Sequence, residues 1–279
     1  MYFFKSKLRT KRIAPGLVSF LILFFVQSSC SSPEQNKEND AQPEIILGIF
    51  GGMGSEATAE FYRQIVKLTP AEKDQDHIPT LIYSLPQVPD RMASIRYQDL
   101  SIVPYLVEGV TRLENAGASF IAIPCNTVHY FFGYMQDAVS IPIIHMIRET
   151  VNEVAEKYPD IKDIGLLATT GTIETELYGN EFAEKGFRVI LPDEEIENEK
   201  VMKAVFGIKA GTSKKINEDL LAEAGQNLVE KGAKLIVLGC TEIPLAFNSE
   251  RVEIPVVNAT EVLAKKAIKL YIELVKEND

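Results

Sequence analysis

Three cysteines and three histidines are all that 279 residues contain. So few thiols in a chain of this length do not make a disulfide framework. The histidines are scattered. Cys125 and His129 stand four apart, but no second ligand pair follows, and a zinc site is not expected. No basic stripe exists either, and the net charge is -10. That balance excludes a nucleic-acid binder and leaves the substrate unspecified. The apolar run at 17–26, LVSFLILFFV, is short for a membrane span. The glycine turn GGMG at 51–54 lacks the downstream Lys-Ser/Thr of a phosphate loop and the spacing of a dinucleotide fingerprint.

The first 30 residues have the layout of an export segment. Lys5, Lys7, Arg9, Lys11 and Arg12 form a positive head, the apolar run follows, and small residues lead to Cys30. Cys30 after Ser28 and Ser29 resembles the lipidation site of a bacterial lipoprotein, although Gln27 stands where that pattern carries Leu. A cleaved ordinary signal and an uncleaved anchor are the other two possibilities. Residues 31–43, SSPEQNKENDAQP, are polar, hold two prolines, and read as a flexible tether.

The folded part is expected over 44–279. IILGIF (45–50), TLIYSL (80–85), FIAIP (120–124) and IPIIHM (141–146) read as strands of a first half. Helices are expected over 55–68, 98–116 and 148–157, with Ser55 as a cap, Pro104 in a first turn and Gly117 closing a helix. The second half begins again with strands at 163–169, 187–192, 235–239 and 254–258. A turn and helix follow Thr170, and Thr260 caps the final helix. Apolar strands alternating with helices imply parallel sheets and right-handed crossovers. The fold class is α/β: two similar three-layer lobes related by a pseudo-twofold axis, one at 44–155 plus the C-terminal helix, the other at 156–258. The active site is expected in the cleft between them.

The halves share a pattern. Each runs from a strand into a Gly/Thr turn and helix, and later from a strand into a cysteine: IAIPCNT at 121–127 and IVLGCTE at 236–242. Ligands of open α/β sheets bind beyond the carboxyl ends of strands, where Cys125 and Cys240 both fall. Free backbone N–H groups there are expected to lower the thiol pKa. Inverting a carbon that bears hydrogen needs a proton removed from one face and another delivered to the opposite face. Two thiols can do this, one as thiolate and one as thiol. Asn126, Thr127, Thr170, Thr172 and Thr241 are placed to polarise the α-carboxylate of the resulting carbanion.

GIFGGMGSEAT (48–58), PQVPDR (86–91), IPCNT (123–127), GIKAG (207–211) and GCTE (239–242) together resemble the aspartate/glutamate racemase family, nearest its aspartate branch. The five motifs occur in order, and the likeness covers nearly all of 45–275. The resemblance implies that Cys125 and Cys240 are the proton donor–acceptors and that Arg91 and Lys209 hold a side-chain carboxylate. It implies that Asn126, Thr127 and Thr241 hold the α-carboxylate, with Thr170, Thr172, Met53 and Gly54 in the same pocket. Glutamate racemases of cell-wall synthesis typically carry His where Glu242 stands, which favours aspartate; Glu242 itself is expected to support Cys240 from behind. Ser55 stands where the family often has Pro. The partners implied are a small amino acid and a second copy of the chain, with no cofactor, no metal and no nucleic acid.

Simpler roles stand beside these. A single buried cysteine is usually a small core residue, and Arg91 or Lys209 alone reads as a solvated charge. His129 and His145 read as packing residues. Two other functions are compatible with the cleft: a related decarboxylase or cis–trans isomerase acting on a dicarboxylate, and an exported solute-binding lipoprotein without turnover.

The export segment generates a first prediction. The mature protein is expected to sediment with membranes and to be released by detergent. Cys30→Ala is expected to appear in the soluble exported fraction or as an uncleaved precursor. Native protein found in the cytosol with residues 1–30 intact would contradict export.

Overall fold

The computed structural model describes residues 45–278. The export segment and tether expected at 1–43 lie outside those residues. Among the described residues no helix is long and apolar enough to cross a membrane.

The first half contains β1 (Leu47–Gly51), α1 (Ser55–Leu68), β2 (Thr80–Ser84), α2 (Arg91–Arg96), α3 (Val103–Asn115), β3 (Phe120–Ala122), α4 (Phe132–Gln136) and α5 (Met146–Lys157). Its sheet has the order β2-β1-β3, with every pair parallel. The second half contains β4 (Asp163–Ala168), α6 (Thr170–Glu174), α7 (Leu177–Glu184), β5 (Arg188–Ile190), α8 (Glu194–Ile196), α9 (Lys203–Lys209), α10 (Lys214–Glu230), β6 (Leu235–Gly239), β7 (Val256–Asn258) and α11 (Ala259–Asn278). Its sheet has the order β5-β4-β6-β7 and is also parallel throughout. The fold is therefore α/β with two parallel sheets. The central strands β1, β4 and β6 are almost wholly buried because helices cover both faces of each sheet. Phe50, Leu106 and Ile121 pack on one side of the first sheet; Ile49, Phe61 and Leu263 pack on the other. The C-terminal helix α11 lies against α1 and α5, over this first sheet.

Several local expectations are corrected. IPIIHM does not form a fourth strand. Pairing is confined to a bridge between Ile121 and Ile143, with Ile121 N–H donating to Pro142 O at 2.9 Å and Ile144 N–H to Ile121 O at 2.8 Å. Pro142 has no N–H to extend the ladder, and His145 already caps α5 by accepting from Arg148 N–H. Ser55 does not cap α1. Gly54 holds the cap position, and the Thr58 hydroxyl donates to its carbonyl at 2.7 Å while accepting from Gly52 N–H at 2.9 Å. Gly52 has φ +95, and a Cβ there would lie 2.5 Å from the backbone of Leu85, so only glycine fits this turn. At the final helix Asn258, not Thr260, accepts the cap bond, from Thr260 N–H at 2.9 Å. Pro104 and Gly117 do hold the expected positions at either end of α3. The helices over 194–230 carry no expectation from the sequence pattern; their last turn before Ala210 positions Lys209.

His129 is buried just beyond β3. Its Nδ1–H donates to Cys125 O at 2.8 Å and its Nε2 accepts from Met146 N–H at 3.1 Å, which ties the strand end to the start of α5. Burial lowers its pKa from 6.5 to about 4, and burial with the charge of neighbouring groups lowers His145 to about 3. Both folded values lie below the unfolded value, so the unfolded chain binds protons first as pH falls. Stability is therefore expected to be complete above pH 6.5 and to decline towards pH 4, with His129 contributing on the order of 3 kcal/mol. Urea unfolding at stepped pH checks this; in His129→Gln the decline across that window is expected to shrink.

Candidate active site

The two cysteines sit just past matched strand ends. Cys125 follows β3 through Ile123 and Pro124, and Cys240 directly follows β6. Both are 5% exposed, and both are free thiols. They open on a single cleft, whose first wall carries Met53, Arg91, Asn126 and Thr127 and whose second carries Lys209, Thr241 and Glu242. Its cavity volume is about 20 Å³, room for little more than one water molecule. The adjoining mouth is larger, about 290 Å³, and is lined by Gly54, Arg91, Lys209 and Glu242 among others.

Arg91 is the first residue of α2, where Asp90 caps the helix by accepting from Ala93 N–H at 2.8 Å. The guanidinium donates to the carbonyls of Val88 and Pro89 at 3.3 and 3.2 Å. Among the described residues it forms no salt bridge with a carboxylate. The second cation, Lys209, approaches Glu242 Oε1 at 3.7 Å. Glu242 is 3% exposed, and its Oε2 accepts from Cys240 Sγ at 3.1 Å and from Thr241 Oγ1 at 3.3 Å. Its Oε1 is buried without a hydrogen bond. Cys240 is not the acidic thiol expected at a strand end. Burial raises its pKa well above the ordinary value, and the negative charge of Glu242 raises it further against the opposing charge of Lys209. The strand end supplies dipoles, but a buried carboxylate at contact distance outweighs them.

A buried polar seam closes the floor of the cleft. The hydroxyls of Thr127, Thr169 and Thr172 form a triangle with edges of 2.9, 2.9 and 3.0 Å. Thr127 comes from the first sheet's side and the other two from the turn after β4. Beside them the Tyr178 hydroxyl donates to Asn126 Oδ1 at 2.6 Å.

Nine of the expected residues line the cleft: Met53, Arg91, Cys125, Asn126, Thr127, Lys209, Cys240, Thr241 and Glu242. Gly54 lines only the mouth, where an added Cβ would lie 2.9 Å from Glu242 Oε1. Thr172 is buried behind Thr127 and does not line the cleft. Thr170 faces a separate outer hollow with Arg96 and Tyr97. Thr169 takes the place expected of Thr170. The pair of adjacent threonines signalled the turn, but which one points inward depends on where β4 ends. Tyr178 was not legible at all, since nothing in its neighbourhood marks it as more than a core aromatic. Neither Thr127 nor Thr241 caps a helix through its side chain; the hydroxyls serve the seam and Glu242 instead. Among the described residues no three His, Cys, Asp or Glu side chains gather as a metal-binding group.

Two parallel-sheet α/β lobes, each with a free thiol at a matching strand end, share one small cleft. The family described as Asp/Glu/Hydantoin racemase matches residues 50–267, and the chain belongs to that family. Amino-acid racemase activity is what membership supports. The broad specificity amino-acid racemase RacX of Bacillus subtilis is 27% identical over 231 residues, covering 81% of this chain and 98% of that protein. The aspartate racemase of Picrophilus torridus has a similar structure: TM-score 0.73, 28% identity, 81% of this chain and 94% of that one. An aspartate racemase homologue from Pyrococcus horikoshii gives TM-score 0.65 at 25% identity, covering 82% of this chain and 99% of that one.

The hydroxyl triangle has a measurable weight. Thr172→Val removes one corner and leaves the other two short of a partner in a buried site. It is expected to cost about 1–3 kcal/mol of stability in urea unfolding. An unchanged midpoint would mean that the seam does not hold the walls together.

Proposed function

We propose that the protein is a cofactor-independent amino-acid racemase whose preferred substrate is aspartate, and that Cys125 and Cys240 exchange the α-proton from opposite faces. The observation that supports this most is the shared cleft: two free thiols at equivalent strand ends, facing a space flanked by Arg91 and Lys209. Lys209 stands against Glu242 at 3.7 Å, but Arg91 forms no salt bridge with a carboxylate among the described residues, and that guanidinium calls for a substrate with a carboxylate besides the one on Cα.

The reaction follows from the groups present. Cys240 is held as a thiol by burial and by Glu242, so it begins as the proton donor. Cys125, as thiolate, takes the α-hydrogen from one face, and Cys240 delivers its own proton to the other. Cys240 is left as the thiolate and Cys125 as the thiol, a pair ready for the opposite direction. Glu242 accepts from the Cys240 thiol while that residue waits, and the S–H turns from the carboxylate to the substrate to deliver its proton. Negative charge spreads onto the α-carboxylate as the proton leaves, and the amide nitrogen of Asn126 is the donor at hand; the hydroxyls of Thr127 and Thr241 join it by turning from the seam and from Glu242. A cavity of about 20 Å³ does not hold an amino acid. Substrate therefore enters by the mouth at Gly54, Arg91 and Lys209, and the two walls part to admit it.

A broader substrate range is the second reading, favoured by the likeness to the Bacillus subtilis enzyme with that description. Export through residues 1–30, lipid attachment at Cys30, a tether over 31–43 and a homodimeric state belong to the same proposal.

The test is incubation of the protein with L-aspartate, L-glutamate and L-alanine in heavy water, read by chiral chromatography and NMR. Aspartate is expected to racemise with α-deuteration, alanine hardly at all. Cys125→Ala and Cys240→Ala are each expected to lose racemisation, while the remaining thiol still exchanges the α-proton of one enantiomer. Arg91→Ala is expected to lower kcat/KM for aspartate at least ~10-fold, the loss of about 1.4 kcal/mol. Full racemisation by either alanine variant at the cysteines would sink the two-thiol mechanism.

A further inference from the structure

We infer that Tyr178 is a positioning residue of this site: its hydroxyl locks the Asn126 side chain so that the amide nitrogen, not the amide oxygen, meets the substrate's α-carboxylate. The inference rests on the racemase reading above and deepens it.

Asn126 directly follows Cys125 and lines the cleft. A carboxamide has one accepting end and one donating end of nearly the same shape. Packing alone therefore does not decide which end faces an anion. Here the decision is made by a hydrogen bond. Tyr178 O–H donates to Asn126 Oδ1 at 2.6 Å across 52 residues of chain. The oxygen is turned towards Tyr178, and Nδ2 is left buried with no partner among the described residues. A buried amide N–H without an acceptor is destabilising, because it has lost its water and gained no partner. A bound α-carboxylate would supply that acceptor and relieve the cost on binding.

Tyr178 is suited to hold this position. It is fully buried on α7, and its ring stacks on Phe182 at 6.1 Å between centroids. The ring also packs against the last residue of β6, where a Cβ on Gly239 would come within 3.0 Å of it. That glycine immediately precedes Cys240. One aromatic side chain thus lies against the strand end that carries one thiol and grips the residue next to the other. Burial raises the phenol pKa well above its ordinary value, so the hydroxyl keeps its proton as a donor. The bond joins elements of the two halves, so the donor at Asn126 is set correctly only when both halves are in place.

Tyr178→Phe tests the inference, because it removes the hydroxyl and keeps the ring. Phe182→Leu is the comparison: it loosens the same aromatic packing and leaves the hydroxyl in place. The measurements are L-aspartate binding by calorimetry, kcat and KM for racemisation, and thermal unfolding, all on the full chain. Tyr178→Phe is expected to weaken aspartate binding and raise KM about 10-fold, with a further fall in kcat as the carbanion loses a donor. Phe182→Leu is expected to unfold at a lower temperature yet keep kcat/KM within about twofold at 25 °C. Unchanged binding in Tyr178→Phe, or an equal loss of binding in Phe182→Leu, overturns the positioning role. A wild-type protein that binds aspartate without racemising it refutes the racemase reading alone, since Tyr178 is still judged by the binding constants. A wild-type protein that binds no aspartate refutes both.

Discussion

Buried polar groups have to be paired, and in this protein the pairs that matter run between the two halves. Thr127 from the first half meets Thr169 and Thr172 from the second; Asn126 meets Tyr178. These bonds sit directly beside Cys125 and beneath the cleft. Leaving any of them open would strand a hydroxyl or an amide away from water. The halves are consequently held in one relation at the floor, and that relation sets where the two strand ends, and the two thiols, stand with respect to each other. The mouth, where Arg91, Lys209 and Gly54 lie, is the side left free to part.

The thiols share a position in their sheets but not an environment. Cys125 is followed by an amide and a hydroxyl, and its carbonyl is held by His129. Cys240 is followed by a hydroxyl and a carboxylate, and its sulfur donates to that carboxylate. Glu242 thereby makes the two surroundings unequal. Lys209 stands against the same carboxylate from the other side. One ammonium group and one thiol therefore share a single buried carboxylate.

Proteins similar to this one carry different descriptions, one an aspartate racemase and one a broad specificity amino-acid racemase. In this chain the thiols lie at the strand ends, while the cations of the cleft come from α2 and the end of α9. Changing what the cations reach does not require moving the thiols. Under the proposed function, a site divided in this way would keep its chemistry on the rigid sheets and its selectivity on the elements around them.

Much of this was legible in the residues. Strands buried on both faces must be apolar along their whole length, and that pattern marked β1, β3, β4 and β6 without any neighbour. Glycines in a backbone that no other residue tolerates marked the turn at 51–54, and a thiol where an apolar run stops marked Cys125 and Cys240. These signals are local, written within a few residues by sterics and burial. What failed was also local in appearance. IPIIHM has the composition of a strand, but Pro142 and the cap at His145 cut its pairing to a bridge. Ser55 and Thr260 have the chemistry of caps, but Gly54 and Asn258 occupy the cap positions. The choice of Thr169 over Thr170, the rise in the Cys240 pKa and the grip of Tyr178 on Asn126 belong to tertiary structure alone. Each depends on which groups meet after folding and on how much water they lose. Desolvation and contact across 52 residues of chain leave no trace in the spacing of the sequence.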